Sequence, residues 1–217
     1  NNFLKIDIMI KVCLADNYPV VHFGVKSYFK DHSSISIVAN VGNFSMVKDV
    51  LSDKEIDILI LDLDLDGLSS IYEVKALIKN FPKTKIIIFT NYAEQLYAPN
   101  AIKAGVSGYV HKTSKLEGLG NAITRVSQGN IVMNEELKKN LAAIAKQNKS
   151  ERLYRKLSNR EIEVLRYLSD GKKNNEIAQI LTLNEKTIST YKLRLLQKLN
   201  VTNLVDLVNK AKTLEIV

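Results

Sequence analysis

An apolar run that ends in a carboxylate, Ile58-Leu59-Ile60-Leu61-Asp62, most constrains how this chain can fold. A short, unbroken apolar run rich in branched side chains predicts a strand that is buried on both faces of a parallel sheet. Open α/β sheets bind their ligands at the carboxyl ends of such strands. We therefore interpret Asp62 as a reactive carboxylate at the binding edge of a sheet.

Strand and helix patterns alternate five times between residues 10 and 129. The other predicted strands are Ile10–Ala15, Ile35–Val41, Lys85–Phe89 and Gly108–Val110, and the last helix is predicted to follow a cap at Ser114 and to reach Gly129. This alternation predicts an α/β fold with a doubly wound, five-stranded parallel sheet that carries helices on both faces. The polar residues at the strand ends then converge on one crevice; they are Asp16, Asn17, Asp62, Thr90 and Lys112.

After a polar linker, the rest of the chain contains only helical patterns. The predicted helices are Asn159–Ser169, Asn175–Leu181, Glu185–Leu199 and Asn203–Thr213, which together make a small all-α domain. Ser158 and Glu161 have the spacing of a capping box at the start of the first of these helices. The expected organisation is a domain over residues 9–131, a helical linker over 132–156 and a four-helix domain over 157–217, with the residues before Met9 outside the fold.

Positive charge is concentrated in this C-terminal part. Residues 151–217 carry 13 Lys and Arg against 8 Asp and Glu, and the helix predicted over 185–199 contains no acidic residue after Glu185. Two helices joined by a tight turn, the second of them basic, are typical of a helix-turn-helix that binds double-stranded DNA. The alternative is a cationic helix face that is only solvated.

A 3.6-residue repeat assigns the faces of this basic helix. Ile188, Leu195 and Leu199 fall on one side and are expected in the core. The N-terminal half of such a helix enters the major groove, so the opposite side is expected to read base edges; its members are Lys186, Ser189, Thr190 and Leu193. The flanking residues are expected to hold phosphates; they are Thr187, Tyr191, Lys192, Arg194 and Lys198.

Residues 10–129, with the strand-end residues named above, resemble the receiver domain of bacterial two-component response regulators. The resemblance implies that a sensor histidine kinase phosphorylates Asp62, that Thr90 and Lys112 contact the phosphoryl group, and that Tyr109 acts as an aromatic switch. It also implies Mg²⁺ as a cofactor, held by Asp16, Asn17, Asp62 and the backbone carbonyl of Asp64. Because Asn17 stands where the family has a second acid, we expect a lower Mg²⁺ affinity than in a site with both acids.

Four motifs in the C-terminal domain resemble the LuxR/NarL type of DNA-binding domain, most closely its BvgA/EvgA-like branch. They are Leu157-Ser158-Asn159-Arg160-Glu161, Glu176-Ile177-Ala178, Thr187-Ile188-Ser189 and Lys198-Leu199. The resemblance implies a homodimeric transcriptional response regulator, not an enzyme, in which phosphorylation controls DNA binding. In this family the last helix pairs two domains on DNA, here through Leu204, Val205 and Val208.

Two other interpretations of the first domain remain open. A receiver-shaped domain with a degenerate pocket can regulate without phosphorylation. Alternatively, Asp62 and Asp64 match haloacid-dehalogenase-like phosphatases, in which the first aspartate is the nucleophile and the second is the general acid.

The sequence also predicts a cytoplasmic protein without a membrane partner. It has no signal-peptide pattern, and no apolar run approaches the roughly 20 residues that span a bilayer. Its single cysteine, Cys13, excludes an intramolecular disulfide and is expected to be a small buried residue.

Overall fold

The computed structural model describes residues 9–135, 138–139 and 157–213. These residues divide into two compact units, and each is described by itself. The first unit draws its residues from 1–68, 72–91 and 101–134, and the second from 69–71, 92–100 and 135–217. Two predictions, the extension before Met9 and most of the linker over 132–156, lie outside the described residues.

A five-stranded parallel sheet with the order β2-β1-β3-β4-β5 forms the first unit. In chain order, β1 to β5 are Ile10–Ala15, Ile35–Val41, Ile58–Leu61, Lys85–Thr90 and Gly108–His111. All four residues of β3 are completely buried, as expected for a strand covered on both faces. This order is that of a flavodoxin-like, doubly wound sheet, and the predicted fold class is confirmed.

Helices alternate with these strands as predicted. In chain order, α1 to α5 are Pro19–Tyr28, Phe44–Asp53, Ile71–Asn80, Glu94–Lys103 and Leu116–Ser127. Helices α1 and α5 pack on one face of the sheet, where Val25 and Phe29 meet Leu119 and Ile123 in one apolar cluster. Cys13 is buried in β1, as expected, and burial raises the pKa of its thiol to about 12.

The predicted cap of the fifth helix is wrong. Ser114 lies in a turn, where its backbone N–H donates to the His111 carbonyl oxygen at 2.9 Å. The cap position is Lys115, whose side chain makes no capping hydrogen bond, and α5 begins at Leu116. The backbone turn after β5 therefore sets the start of this helix, and the serine side chain does not.

The C-terminal helices have their own apolar core. They are α6 (Asn159–Ser169), α7 (Asn174–Leu181), α8 (Glu185–Leu199) and α9 (Leu204–Thr213). The predicted inward residues of α8, Ile188, Leu195 and Leu199, are fully buried in that core, which confirms the assigned face. Among the helices that the structure describes, none combines the length and the apolar character needed to cross a bilayer.

Candidate functional site

Two buried carboxylates lie side by side where the strand order of the sheet reverses. Strands β1 and β3 are neighbours, and their last residues, Ala15 and Leu61, pair with each other. The residue after each strand is an aspartate, and the backbone N–H of Asp62 donates to the Ala15 carbonyl oxygen at 3.0 Å. Asp16 and Asp62 are only 1% and 2% exposed. Such a reversal point is where doubly wound sheets bind ligands.

Lys112 connects the two carboxylates. Its Nζ atom lies 2.5 Å from Asp62 Oδ2 and 2.6 Å from Asp16 Oδ2. Burial alone would lower the pKa of Lys112, but the hydrogen bonds to Asp16 and Asp62 outweigh it, and the pKa lies above its ordinary value. The raised pKa favours the charged ammonium of Lys112 between the two carboxylates.

Thr90 and Tyr109 occupy the neighbouring strands. Thr90 ends β4 and is 1% exposed, and its carbonyl oxygen accepts the Lys112 backbone N–H at 2.8 Å. Tyr109 lies within β5, pairs with Ile88 of β4 and is buried. Strand pairing thus holds the backbone at Lys112 against the end of β4, next to Thr90.

The Asn17 side chain forms hydrogen bonds with the acidic loop after β3. Its Nδ2 atom donates to the Asp64 carbonyl oxygen at 2.7 Å, and its Oδ1 atom accepts the Asp66 backbone N–H at 2.8 Å. Reversing the amide would set a donor against a donor, so these partners determine its orientation. Gly67 in this loop has φ +82°, a left-handed conformation that favours glycine. The Asp64 carbonyl, a predicted metal ligand, already accepts one hydrogen bond.

The oxygen atoms of this pocket fit a hard cation. The pocket carries less negative charge than a site that has an acidic residue in place of Asn17. Within the described part of the chain, no three His, Cys, Asp or Glu side chains are grouped to hold a metal ion. Asp16 Oδ2 is buried and, besides its ion pair with Lys112, has no aligned hydrogen-bond donor. Two carboxylates, an amide oxygen and a backbone carbonyl are suitable ligands for Mg²⁺.

Two contacts of the pocket were not predicted from the sequence. The Tyr18 ring lies 5.4 Å from Lys112 Nζ, a cation–π distance. His22 Nε2 lies 2.6 Å from the Asp16 carbonyl oxygen. Both residues follow Asp16 closely in the chain, yet no periodic pattern singles them out, because their contacts depend on the turn between β1 and α1.

Helix α8 presents a polar face opposite its buried one. The four predicted base-reading residues, Lys186, Ser189, Thr190 and Leu193, are all exposed, as is Arg194. Leu193 is 57% exposed, whereas Leu195 and Leu199 of the same helix are fully buried. The remaining predicted phosphate contacts are half-buried; they are Thr187, Tyr191, Lys192 and Lys198.

Lys198 is engaged within the domain. Its Nζ atom donates to Glu161 Oε2 at 2.7 Å, and the same carboxylate accepts the Ser158 backbone N–H at 2.7 Å. With the Ser158 hydroxyl accepting from the Glu161 backbone N–H, the predicted capping box is confirmed. Burial acts to raise the pKa of Glu161, but its hydrogen bonds to Lys198 and Ser158 prevail, and the pKa is lowered.

Glu161→Gln is expected to reduce the free energy of unfolding of the C-terminal domain by about 2 kcal/mol at neutral pH, because a buried, charge-assisted hydrogen bond is lost. The folded-state pKa of Glu161 lies below its ordinary value of 4.5, so the carboxylate stabilises the fold above that value. This contribution disappears as the pH falls through the lower, folded-state pKa. Urea denaturation at a series of pH values measures the difference between the two proteins.

A surface ion pair provides the matched control. Lys11 and Glu55 lie 3.2 Å apart, but the Glu55 side chain is 92% exposed. Glu55→Gln is therefore expected to change the free energy of unfolding of the first unit, in which this pair lies, by less than about 0.5 kcal/mol. Equal effects of the two substitutions, or a Glu161→Gln effect that persists in acid, would contradict the stabilising role of Glu161.

Two protein families match the chain. The response regulator receiver domain matches residues 12–124, and the bacterial regulatory proteins of the luxR family match residues 155–211. Fimbriae Z protein of Salmonella typhimurium is 31% identical, over 94% of this chain and 97% of its own length. The response regulator protein VraR of Staphylococcus aureus is 29% identical, over 88% of this chain and 91% of its own length.

Solved structures of the response regulator RcsB from Salmonella typhimurium have a similar fold. One covers 96% of this chain and 99% of its own, with 25% identity and a TM-score of 0.79. Another is RcsB bound to the promoter rprA in the presence of the phosphomimetic BeF3-; it covers 93% of this chain and 98% of its own, with 26% identity and a TM-score of 0.78.

Proposed function

The chain belongs to the response regulators that join a receiver domain to a LuxR-family regulatory domain, and from that premise we propose that phosphorylation of Asp62 controls how α8 binds promoter DNA. Its homologues are transcriptional regulators and not enzymes. The observation that carries the proposal is the contact of Lys112 with both buried carboxylates at the reversal point of the sheet. We assign the receiver to residues 9–131, the linker to 132–156 and the DNA-binding domain to 157–217.

The chemistry of the pocket suits phosphoryl transfer to a carboxylate. In this proposal, an Asp62 oxygen attacks the phosphorus atom of a phosphohistidine on a sensor kinase, and the histidine nitrogen leaves with the bonding electrons. Repulsion between the two anions opposes the attack, and the Lys112 ammonium, 2.5 Å from Asp62, offsets it. The Thr90 hydroxyl then donates to a phosphoryl oxygen, and Tyr109 responds as the aromatic switch.

We also propose Mg²⁺ as the cofactor of this step. Asp16, Asn17, Asp62 and the Asp64 carbonyl would hold the ion, which would add positive charge beside the phosphoryl oxygens. Asn17 Oδ1 already accepts the Asp66 backbone N–H at 2.8 Å, which leaves one lone pair of this oxygen for the ion. The missing acid at this position is the reason to expect weak Mg²⁺ binding.

A second candidate function is regulation without phosphorylation. It is favoured by the contacts already present in the pocket: the Lys112 ammonium forms ion pairs with both carboxylates, and Asn17 holds the loop. A pocket balanced in this way can keep its conformation without a phosphoryl group or a metal ion. The phosphatase hypothesis for Asp62 and Asp64 is not retained, because the homologues are regulators and not enzymes.

For the DNA-binding domain, we infer that α8 enters the major groove of double-stranded promoter DNA. We also infer that the protein binds this DNA as a homodimer. RcsB, which resembles this chain along most of its length, has been solved on promoter DNA and as DNA-bound dimers. Of the three predicted pairing residues of α9, Val205 is 69% exposed, Leu204 is 36% exposed and Val208 is half-buried, which leaves the first two accessible. Because its proposed partners are promoter DNA and a kinase that phosphorylates in the cytoplasm, we place the protein there.

Genome-wide mapping of bound DNA, with wild type and Asp62→Ala side by side, tests the proposed control. We expect wild type to occupy a defined set of promoters under inducing conditions and Asp62→Ala to lose most of that occupancy, because it cannot take up a phosphoryl group. Equal protein levels in both strains serve as the control. Identical occupancy would support the second candidate function instead, and no occupancy of DNA by either protein would contradict both.

A further inference from the structure

Asn174, the first residue of α7, contacts the face of α8 that we assign to DNA. Its side-chain Nδ2 donates to Ser189 Oγ at 3.1 Å. The Ser189 hydroxyl in turn donates its only proton to the Glu185 carbonyl oxygen at 3.2 Å. In this arrangement Ser189 accepts from Asn174 and directs its proton to Glu185, which leaves one lone pair of the hydroxyl for a base.

The Thr190 hydroxyl is oriented in the same way as that of Ser189. Its hydroxyl donates to the Lys186 carbonyl oxygen at 3.0 Å. In this arrangement both hydroxyls of the base-reading face present acceptor lone pairs to DNA. In the major groove the donors are the N6 amino group of adenine and the N4 amino group of cytosine.

The Asn174 amide retains the two groups that match adenine. One of its N–H groups is used by Ser189, which leaves the other N–H and the carbonyl oxygen. Within the described part of the chain, no hydrogen bond engages this oxygen. A carboxamide that accepts from N6 and donates to N7 is the usual bidentate partner of adenine.

From this contact we propose that Asn174 is a specificity-determining residue, which reads an adenine of the operator while Ser189 orients its amide. The inference rests on the proposed function of α8 as the helix in the major groove, and it adds a reader from the preceding helix. It assigns this helix a direct part in sequence recognition, in addition to its packing against α8.

Asn175 offers a matched control on the same helix. It is exposed, and its Oδ1 atom accepts the backbone N–H of Glu176 at 3.0 Å. Asn175→Ala removes the same side chain one position further along, without touching the contact to Ser189. Any general effect of losing an asparagine from the start of α7 appears in both variants.

The test is selection of bound duplexes from a randomised DNA pool by the full-length chain. We expect Asn174→Ala to lose the preference for adenine at one position of the selected site by about tenfold, the discrimination typical of a bidentate contact. Asn175→Ala should keep the wild-type preferences. Asn174→Asp keeps the acceptor but loses both N–H groups, so its preference at that position should shift from adenine towards cytosine.

Thermal denaturation of each variant separates recognition from folding. If Asn174→Ala is unstable, Asn174→Asp carries the test, because an acidic residue at the start of a helix is favourable. Unchanged base preferences in both Asn174 variants would overturn the inference and leave Asn174 a residue that only joins two helices. Lys186→Ala distinguishes a failure of the inference about Asn174 from a failure of the proposed function of α8. If Lys186→Ala also leaves every base preference unchanged, the assignment of α8 to the major groove fails together with the inference.

Discussion

Asp62→Asn is expected to gain no phosphoryl group from acetyl phosphate and Mg²⁺, whereas the wild-type chain gains one. The amide keeps the shape of the side chain and can still accept from the Lys112 ammonium, which lies 2.5 Å from Asp62 Oδ2. It lacks the anionic oxygen that attacks phosphorus, so the effect is complete loss of modification. Intact mass spectrometry measures the added phosphoryl mass, and circular dichroism verifies that the variant is folded.

Two further variants make this prediction specific. Asp64→Asn should be modified as the wild type is, because only the backbone carbonyl of Asp64 has a proposed role; the phosphatase hypothesis instead required its side chain. Asn17→Asp should reach half-maximal modification at an Mg²⁺ concentration about tenfold lower, since ligand charge sets the affinity of such sites. An unmodified wild-type chain would refute the phosphoacceptor proposal, and a modified Asp62→Asn would place the acceptor elsewhere.

Replacement of Lys186 and Thr190 together by alanine is expected to weaken binding to a wild-type promoter site by about 100-fold. Both residues are exposed on the face of α8 opposite its buried leucines. Each base contact in the major groove contributes roughly 1–3 kcal/mol of discrimination, so the loss of two gives this magnitude. Gel-shift titration on one of the promoters identified by genome-wide mapping measures the affinity, and the melting temperature should be unchanged.

Arg194→Ala provides the comparison for a phosphate contact. The Arg194 guanidinium lies 6.0 Å from the centre of the Tyr191 ring, on the exposed side of α8. Its loss should weaken binding to all duplexes alike and reduce the salt dependence of binding by about one ion. If the Lys186 and Thr190 double variant binds the promoter as tightly as the wild type, α8 does not read the DNA.

Strands were predicted more accurately than helix starts, for a physical reason. The apolar runs that form β1 and β3 are buried along nearly their whole length between two layers of helices, and their predicted bounds agree with the structure. Helix starts depend on backbone turns as well as side chains. Ser158 caps α6 as expected, but the turn after β5 displaces Ser114 from the start of α5.

The amino-acid sequence by itself determined the doubly wound sheet, the polar residues at its strand ends and the buried face of α8, because these follow from periodic patterns along a strand or helix. Only the tertiary structure decided how the polar side chains pair. Lys112 connects Asp16 with Asp62, Asn17 holds the loop at Asp64, and Asn174 orients towards Ser189. Each pair joins residues well apart in the chain, and a hydrogen bond requires distances and angles that arise only when strand register and helix packing are complete.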